Sequence, residues 1–168
     1  MVPDSLGRVF RLSSGVRIPL SPGVSISFTV NKDGQPKIKV MIANDHPIMR
    51  VGLRMAVRRE RDMEVVGETR GARDTIEQFE RVLPDVLLLD LDSPDQSGPD
   101  TVEAIHRACP NLPLIVLSSY PIDANELLRQ PSPGLVMFIL KSSSGEEIMA
   151  ALRTVVVNFR ERDRAAPS

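Results

Sequence analysis

Four polar residues stand at or just after the ends of short apolar runs in the sequence. They are Asp45, Asp90, Ser118 and Lys141. Two carboxylates in one place make a site for a hard divalent cation such as Mg2+, which takes one or two carboxylates and keeps other positions for water and phosphate. A lysine supplies a point charge for a phosphoryl oxygen, and a serine supplies a hydrogen bond. Because a carboxylate can also be the nucleophile and form an aspartyl phosphate, the set predicts phosphoryl chemistry.

The elements that must bring these residues together are predicted from the apolar pattern beyond position 37. Short apolar runs alternate with segments in which apolar residues recur at the spacing of a helix face. The predicted strands are Ile38–Ala43, Met63–Val66, Val86–Leu89, Leu114–Leu117 and Met137–Leu140. Near-continuous apolar strands separated by helices indicate an α/β fold, a doubly wound five-stranded parallel sheet with five helices. Ligands of such sheets bind outside the carboxyl ends of the strands, where the four polar residues stand.

Two of the helices have recognisable start signals. His46 precedes Pro47, whose fixed φ and missing N–H suit the first helical position, so His46 is interpreted as a helix-start residue rather than a catalyst. Ser143 or Ser144, followed by Glu146 and Glu147, resembles a capped start with acids near the positive end of the helix.

Composition and charge argue against several other classes of protein. Of 168 residues, 42% are hydrophobic and 26% are charged, as in an ordinary globular domain. The net charge of -1, together with the lack of a DNA-reading helix pair after residue 157, means that direct DNA binding is not predicted for this chain. The lone Cys109 excludes an internal disulfide and a cysteine-rich zinc site. With no apolar run of membrane-spanning length, the sequence predicts a cytoplasmic protein without a membrane segment.

The two ends of the chain depart from this pattern. The first residues are irregular and interrupted by proline, except for a strand-like alternation over Val24–Val30. A turn candidate, Asn31–Gly34, follows, so the local sequence favours a hairpin with Ile38–Ala43. The predicted organisation is an N-terminal extension over residues 1–37, a domain over residues 38–157, and a tail or truncated linker over residues 158–168.

Four motifs in register resemble the receiver domain of two-component response regulators. They are Asn44-Asp45-His46-Pro47, Pro84-Asp85-Val86-Leu87-Leu88-Leu89-Asp90-Leu91, Leu117-Ser118-Ser119 and Phe138-Ile139-Leu140-Lys141. The resemblance covers residues 38–157 and is greatest to the branch that usually carries a C-terminal LuxR-type helix-turn-helix. It implies the flavodoxin-like strand order 2-1-3-4-5, which places the first strand inside the sheet. The extension then cannot form a hairpin with Ile38–Ala43.

The resemblance implies a Mg2+-dependent phosphorelay. Asp90 would accept a phosphoryl group from a sensor histidine kinase or a phosphotransfer protein. Asp45, Asp90 and the backbone carbonyl of Asp92 would hold Mg2+, and Lys141 would pair with the phosphate. Asn44 stands where the family usually has another acid, so we expect it to act weakly or through water and to lower the affinity for Mg2+.

The resemblance also implies a conformational switch. Ser118 would move to bond the phosphate, and Phe138 would change rotamer with it. The chain would act as a signalling phosphoacceptor rather than a metabolic enzyme, alone or as a homodimer. Relatives transmit the signal through the face of the fourth helix, fifth strand and fifth helix. Pro131 and Pro133 should shorten that fourth helix here, to Asp123–Arg129.

Two alternatives remain open. Asn44 and the proline break favour a receiver-like interaction module that is rarely phosphorylated. The run Asp90-Leu91-Asp92-Ser93 looks like the nucleophile motif of haloacid-dehalogenase-type phosphatases, in which Asp92 would be the general acid. That family places a final acidic pair after a later strand, and no strand is predicted after Lys141.

Overall fold

The computed structural model of the chain describes residues 9–11, 17–19, 31–92, 98–121 and 136–165. Their secondary structure consists of short strands near the N-terminus followed by alternating strands and helices. In chain order the elements are β1 (Val9–Arg11), β2 (Arg17–Pro19), β3 (Ile38–Ala43), α1 (Pro47–Arg59), β4 (Met63–Thr69), α2 (Ala72–Val82), β5 (Val86–Asp90), α3 (Gly98–Ala108), β6 (Leu114–Ser118), β7 (Val136–Leu140) and α4 (Gly145–Ala165).

The main sheet is parallel throughout and has the order β4-β3-β5-β6-β7. Counted from β3, this is the order 2-1-3-4-5, so the predicted doubly wound α/β fold is confirmed. Four of the five predicted helices lie in the described residues, and the other, Asp123–Arg129, lies outside them. The first strand of the domain, β3, pairs with both β4 and β5, which leaves no free edge for an N-terminal hairpin partner.

Both faces of the sheet are covered by apolar packing, because successive side chains of a strand point to opposite faces. One cluster joins alternate strand residues to α1 and α4; it includes Val40, Ile42, Leu88, Leu53, Val57 and Leu152. The other joins the intervening strand residues to α2 and α3; it includes Met41, Leu87, Leu89, Ala72, Val102 and Ile105. Each fully buried Leu or Ile side chain stabilises the fold by about 1.5–3 kcal/mol. The packed sheet therefore holds the carboxyl ends of its strands in fixed positions relative to one another.

Both predicted helix starts are confirmed. Helix α1 has Pro47 in its first turn and His46 at its N-cap position. Before α4, Ser144 N–H donates to Glu147 Oε2 at 2.7 Å, and Glu147 N–H donates to Ser144 Oγ at 3.2 Å. This reciprocal pair satisfies donors that the first helical turn leaves without partners.

The N-terminal part contains a feature that the sequence did not predict. Strands β1 and β2 pair antiparallel and form a two-stranded sheet separate from the main sheet. The predicted strand Val24–Val30 lies outside the described residues. The predicted turn is confirmed: Asn31 Oδ1 accepts hydrogen bonds from Asp33 N–H at 3.0 Å and Gln35 N–H at 2.9 Å, and Gly34 has a φ of 73°. Glycine adopts that left-handed conformation without steric cost.

The last helix is longer than the sequence indicated. Helix α4 continues through Asn158 to Ala165, into the segment that was predicted to be a tail or truncated linker. The added turns contain mostly good helix formers, and Arg160 Nη2 donates to Asp85 Oδ1 at 3.4 Å, which ties them to the start of β5. The domain boundaries themselves stay predictions. No helix in the described part of the chain is long and apolar enough to cross a membrane.

Candidate functional site

The predicted site residues lie together at the carboxyl edge of the sheet. Asp90 is the last residue of β5 and Ser118 the last residue of β6, while Lys141 directly follows β7. Asn44 and Asp45 directly follow β3. Because all these strands are parallel, their carboxyl ends meet at the same edge. The positions that the apolar runs predicted are therefore the positions that the fold brings together.

The carboxylate of Asp90 is the centre of the site, and both of its oxygens have partners. Its side chain is only 1% exposed. Oδ1 accepts a hydrogen bond from Lys141 Nζ at 2.7 Å and from Asp92 N–H at 3.0 Å. Oδ2 accepts from Asn44 Nδ2 at 2.7 Å. A buried carboxylate is costly unless it is paired and hydrogen-bonded, and these three donors meet that requirement.

The side chain of Asp92 enters the site, whereas the resemblance to receiver domains implied a role only for its backbone carbonyl. Asp92 Oδ2 lies 2.9 Å from Lys141 Nζ, and it accepts hydrogen bonds from both the backbone N–H, at 2.9 Å, and the hydroxyl of Ser119. Burial alone would raise the pKa of Asp92, but hydrogen bonds from Ser119 and Lys141 outweigh it, so the pKa lies below its usual value. Asp92 is therefore ionised at neutral pH.

Lys141 is shared between these two carboxylates. Desolvation lowers the pKa of Lys141, but its hydrogen bonds to Asp90 and Asp92 outweigh that effect and leave the pKa above its usual value. The ammonium is therefore charged at neutral pH. With Asp45, the three carboxylates and one ammonium give the site a formal charge of -2 when His46 is neutral. Such a site attracts a divalent cation.

Asn44 uses both ends of its amide inside the site. Besides the donation from Nδ2 to Asp90, Asn44 Oδ1 accepts a hydrogen bond from His46 N–H at 2.7 Å. Its backbone carbonyl accepts from Arg50 Nη1 at 2.7 Å. The amide oxygen therefore already accepts one hydrogen bond from the backbone.

Asp45 has an oxygen that lacks a hydrogen bond. Its Oδ1 atom is buried and has no hydrogen-bond partner among the described residues, although His46 Nδ1 lies 2.7 Å away. Ligand atoms of Asp45, His46 and Asp90 all lie within 4.8 Å of one another. A carboxylate oxygen that makes no hydrogen bond and lies beside a second carboxylate fits the oxygen ligands that hard divalent cations take. Asp45 and Asp90 could hold such an ion.

The two predicted switch residues lie in different parts of the sheet. Ser118 is buried, its Oγ accepts a hydrogen bond from Tyr120 N–H at 3.2 Å, and its carbonyl accepts from Lys141 N–H at 2.8 Å. Phe138 lies opposite Val116 in the sheet and packs against the core cluster on the α2 and α3 face. Ser118 thus belongs to the edge that carries the site, whereas Phe138 is partly buried and packs against the apolar cluster on the α2 and α3 face.

Three residues at the site were not predicted from the sequence to act there. His46 directs its ring at the carboxylates, Ser119 bonds to Asp92, and Arg50 bonds to the backbone of Asn44. His46 and Ser119 directly follow predicted site residues in the sequence, and that adjacency is the signal that could have identified them. Arg50 gives no such signal, because its contact depends on the direction of α1.

The comparisons with known proteins agree with this geometry. Residues 40–153 match the response regulator receiver domain family. The response regulator protein VraR of Staphylococcus saprophyticus is 34% identical over 121 residues, which is 72% of this chain and 57% of that relative. VraR of Staphylococcus aureus is 31% identical over 116 residues, 69% of this chain and 55% of that relative. The chain therefore spans somewhat more than half the length of these relatives.

Solved structures show the same architecture. The signal receiver domain of the response regulator NarL from Mycobacterium tuberculosis is 28% identical, with a TM-score of 0.62 over 72% of this chain and 97% of that one. RcsB from Salmonella enterica, solved bound to promoter rprA with the phosphomimetic BeF3-, is 27% identical, with a TM-score of 0.58 over 77% of this chain and 67% of that one. The family match covers most of the chain, and this chain belongs to the response regulator receiver domain family.

Proposed function

We propose that Asp90 accepts a phosphoryl group from a histidine kinase or phosphotransfer protein in a Mg2+-dependent reaction, and that this changes the conformation of the domain. The observation that carries the proposal is the buried Asp90 carboxylate, which is held at 2.7 Å by Lys141 Nζ and lies beside Asp45. A nucleophile, a cation for the phosphoryl oxygens and a carboxylate for a divalent ion are thus in one place.

In the proposed transfer, an oxygen of Asp90 attacks phosphorus. The bond between phosphorus and the donor's imidazole nitrogen breaks, and that nitrogen keeps the electron pair and takes up a proton. Asp90 is positioned for this role by Asn44 and by the backbone N–H of Asp92. Lys141 stays charged at neutral pH, because its contacts with Asp90 and Asp92 keep its pKa high. It therefore stabilises the negative charge on the incoming phosphoryl oxygens.

A divalent cation is proposed to be held by Asp45, Asp90 and the backbone carbonyl of Asp92. When bound, Mg2+ neutralises charge on the carboxylates and on the phosphoryl oxygens. The formal charge of -2 from Asp45, Asp90, Asp92 and Lys141 supports this proposal, because an anionic donor would otherwise be repelled. Asn44 contributes no charge, so we expect weaker binding than an acid at that position would give.

The proposed switch starts from the contacts of Lys141. Phosphorylation replaces the single charge of Asp90 with about two negative charges on the phosphoryl group, which compete with Asp92 for Lys141. Loss of the contact between Lys141 and Asp92 would leave Ser119 and Ser118 less firmly held at the end of β6. Ser118 and Phe138 are proposed to relay this change, Ser118 by bonding the phosphate and Phe138 by changing rotamer.

The test is phosphorylation by a small donor. The full chain is incubated with Mg2+ and acetyl phosphate or phosphoramidate, and its intact mass is followed with time. We expect a gain of one phosphoryl group, which EDTA prevents and Asp90→Asn abolishes. The control Asp74→Asn removes an exposed carboxylate in the first turn of α2 and should leave the gain unchanged.

The other outcomes identify the alternatives. No mass gain in the folded wild-type chain would refute the phosphoacceptor proposal and favour an interaction module. A mass gain that persists in Asp90→Asn would place the phosphoryl group elsewhere. Rapid turnover of a phosphate monoester that depends on Asp92 would favour the phosphatase.

A further inference from the structure

Asn44 is held at both ends of its backbone as well as at both ends of its side-chain amide. Its N–H donates to the carbonyl of Thr69, the last residue of β4, at 3.0 Å, and its own carbonyl accepts from Arg50 Nη1 at 2.7 Å. Its side chain joins Asp90 Oδ2 to the backbone N–H of His46. Among these four contacts, the one from Arg50 is made by a side chain of α1, which packs on a face of the sheet.

Arg50 is itself held in place by a carboxylate on the edge strand β4. Its Nε lies 3.6 Å from Glu68 Oε2, and the side chains of Arg50 and Glu68 are 18% and 25% exposed. Glu68 also accepts hydrogen bonds from Arg54 Nη1, at 3.0 Å to Oε1 and 3.2 Å to Oε2. A chain of contacts therefore runs from β4 through Glu68 and Arg50 to the backbone of Asn44, and from its side chain to Asp90.

Attachment of α1 to the sheet does not by itself account for the direction of Arg50. Arg54, one turn further along α1, makes the closer contact with Glu68 and so attaches the helix to β4. Arg50 instead directs its Nη1 at the carbonyl of Asn44, a residue that is only 1% exposed. A hydrogen bond from a charged donor is among the stronger ones in proteins. It restrains the loop between β3 and α1, in which Asp45 directly follows Asn44.

We propose that Arg50 is a positioning residue of the site, which acts through the backbone of Asn44 to hold Asn44 and Asp45 beside Asp90. The inference rests on the proposed function for the reaction at Asp90, whereas the restraint on the loop exists with or without phosphorylation. Partners that orient the ligands of a metal site typically change metal affinity or activity by about 10–100-fold when they are removed. Without Arg50, the loop after β3 is less restrained, and Asn44 Nδ2 meets Asp90 Oδ2 less often.

The first experiment measures the restraint itself, by amide hydrogen exchange of the full, unphosphorylated chain observed by NMR. The variants are Arg50→Gln and its matched control Arg54→Gln, each of which removes one arginine from Glu68. We expect Arg50→Gln to speed exchange of the Asn44 and His46 N–H groups by about tenfold or more, the effect of one lost hydrogen bond to a charged group. Exchange of the same two groups in Arg54→Gln should match that of the wild-type chain.

The second experiment measures phosphorylation by phosphoramidate, from intact mass, as a function of Mg2+ concentration. We expect Arg50→Gln to lower the initial rate by about 10–100-fold. It should also raise the Mg2+ concentration that gives half of the maximal rate, because Asp45 is then held less firmly. A loss of general stability would not move that concentration in a chain that is still folded. Arg50→Lys keeps a charged donor for the Asn44 carbonyl, so it should be phosphorylated faster than Arg50→Gln.

Several results would overturn the role of Arg50. One is unchanged loop exchange in Arg50→Gln, and another is faster exchange without any fall in the rate of phosphorylation. Equal changes in Arg54→Gln would also overturn it, because the ion pair with Glu68 would then be responsible. If Arg50→Gln does not fold, Arg50→Lys takes its place and must exceed Arg54→Gln in both effects.

Failure of this inference is distinguishable from failure of the proposed function. Phosphorylation of the wild-type chain with no effect of Arg50→Gln would overturn only the role of Arg50. A wild-type chain that gains no phosphoryl group, but whose loop exchanges faster in Arg50→Gln alone, would overturn the proposed function and still support the restraint that Arg50 places on the loop.

Discussion

At the amino edge of the sheet, carboxylates pair with arginines near water, whereas at the carboxyl edge the carboxylate of Asp90 is buried and paired with a lysine. Arg153 on α4 bonds to Asp62 at 2.7 Å and also to Glu60, in the turn before β4. The side chains of Arg153 and Asp62 are each 40% exposed, while that of Asp90 is 1% exposed. The two edges therefore place similar chemical groups in different dielectric surroundings.

This difference in burial separates a structural role from a chemical one. Exposed ion pairs contribute about 0.2–1 kcal/mol each, and here they tie α4 to the turn before β4. Burying Asp90 and crowding it with Asp45 and Asp92 costs stability, and the donors around Asp90, above all Lys141, offset that cost. A fold keeps such an arrangement where charge is needed for binding or reaction. Only the carboxyl edge should therefore respond to phosphorylation.

The largest expected effect comes from removing the lysine of the carboxyl edge. Lys141→Met takes away the ammonium that lies 2.7 Å from Asp90 Oδ1 and would balance the incoming phosphoryl charge. Loss of one such preorganised donor lowers rates by about 10²-fold. We expect a fall of that size in the initial rate of phosphorylation by phosphoramidate, measured by intact mass.

The matched change at the amino edge is Arg153→Met. It removes a cation that bonds two carboxylates, so we expect a loss of about 1 kcal/mol in the free energy of unfolding. The phosphorylation rate should stay unchanged, because Arg153 contacts none of the site residues described above. A similar slowing in both variants would mean that the two edges do not differ in function, and the comparison would be wrong.

A second, smaller effect is expected from Asp92, which shares Lys141 with Asp90. Asp92→Asn removes one negative charge from the site and leaves Lys141 paired with Asp90 alone. Electrostatic attraction changes association rates by about tenfold or more. We expect phosphorylation by an anionic donor to become about tenfold faster at low ionic strength, and the gain to shrink as salt is added.

Ser119→Ala is the control for this change. It deletes the hydroxyl that donates to Asp92 but keeps the charge of Asp92 and the backbone N–H donor. Its rate should therefore remain close to that of the wild-type chain. If Ser119→Ala accelerates phosphorylation as much as Asp92→Asn does, the slower phosphorylation of the wild-type chain is caused by the hydrogen bond to the loop after β6 and not by the charge of Asp92.

The sequence predicted the sheet well, because a strand that is buried on both faces consists almost entirely of apolar residues. Each of the five apolar runs became a strand of the main sheet. The second run, Met63–Val66, was predicted too short: β4 continues to Thr69 because Gly67, Glu68 and Thr69 pair with β3. Glu68 is polar, and its partners Arg50 and Arg54 come from α1, so the pattern of apolar residues could not reveal it.

The composition of the site was also predicted, but not the directions of its side chains. A parallel sheet alone places Asp90, Ser118 and Lys141 at one edge, and the alternation of apolar runs with helical segments predicts a parallel sheet. Whether the Asp92 carboxylate turns toward Lys141, or the His46 ring toward Asp45, depends on rotamers and on loop geometry. These are set by contacts between residues far apart in the sequence, which no local pattern encodes.

The smallest expected effect tests the amino edge by pH. The hydrogen bond from Arg153, opposed by burial, lowers the pKa of Asp62 below its usual value. A carboxyl whose pKa is lower in the folded state contributes stability that is fully present above its unfolded pKa, about 3.9, and is lost as pH falls through the folded pKa.

Because Asp62 is well exposed, Asp62→Asn should cost only about 0.5–1 kcal/mol at neutral pH, measured by urea unfolding. The difference from wild type should vanish in acid. A difference that persists below the folded pKa would mean that Asp62 stabilises the turn by its shape and hydrogen bonds, and not by its charge.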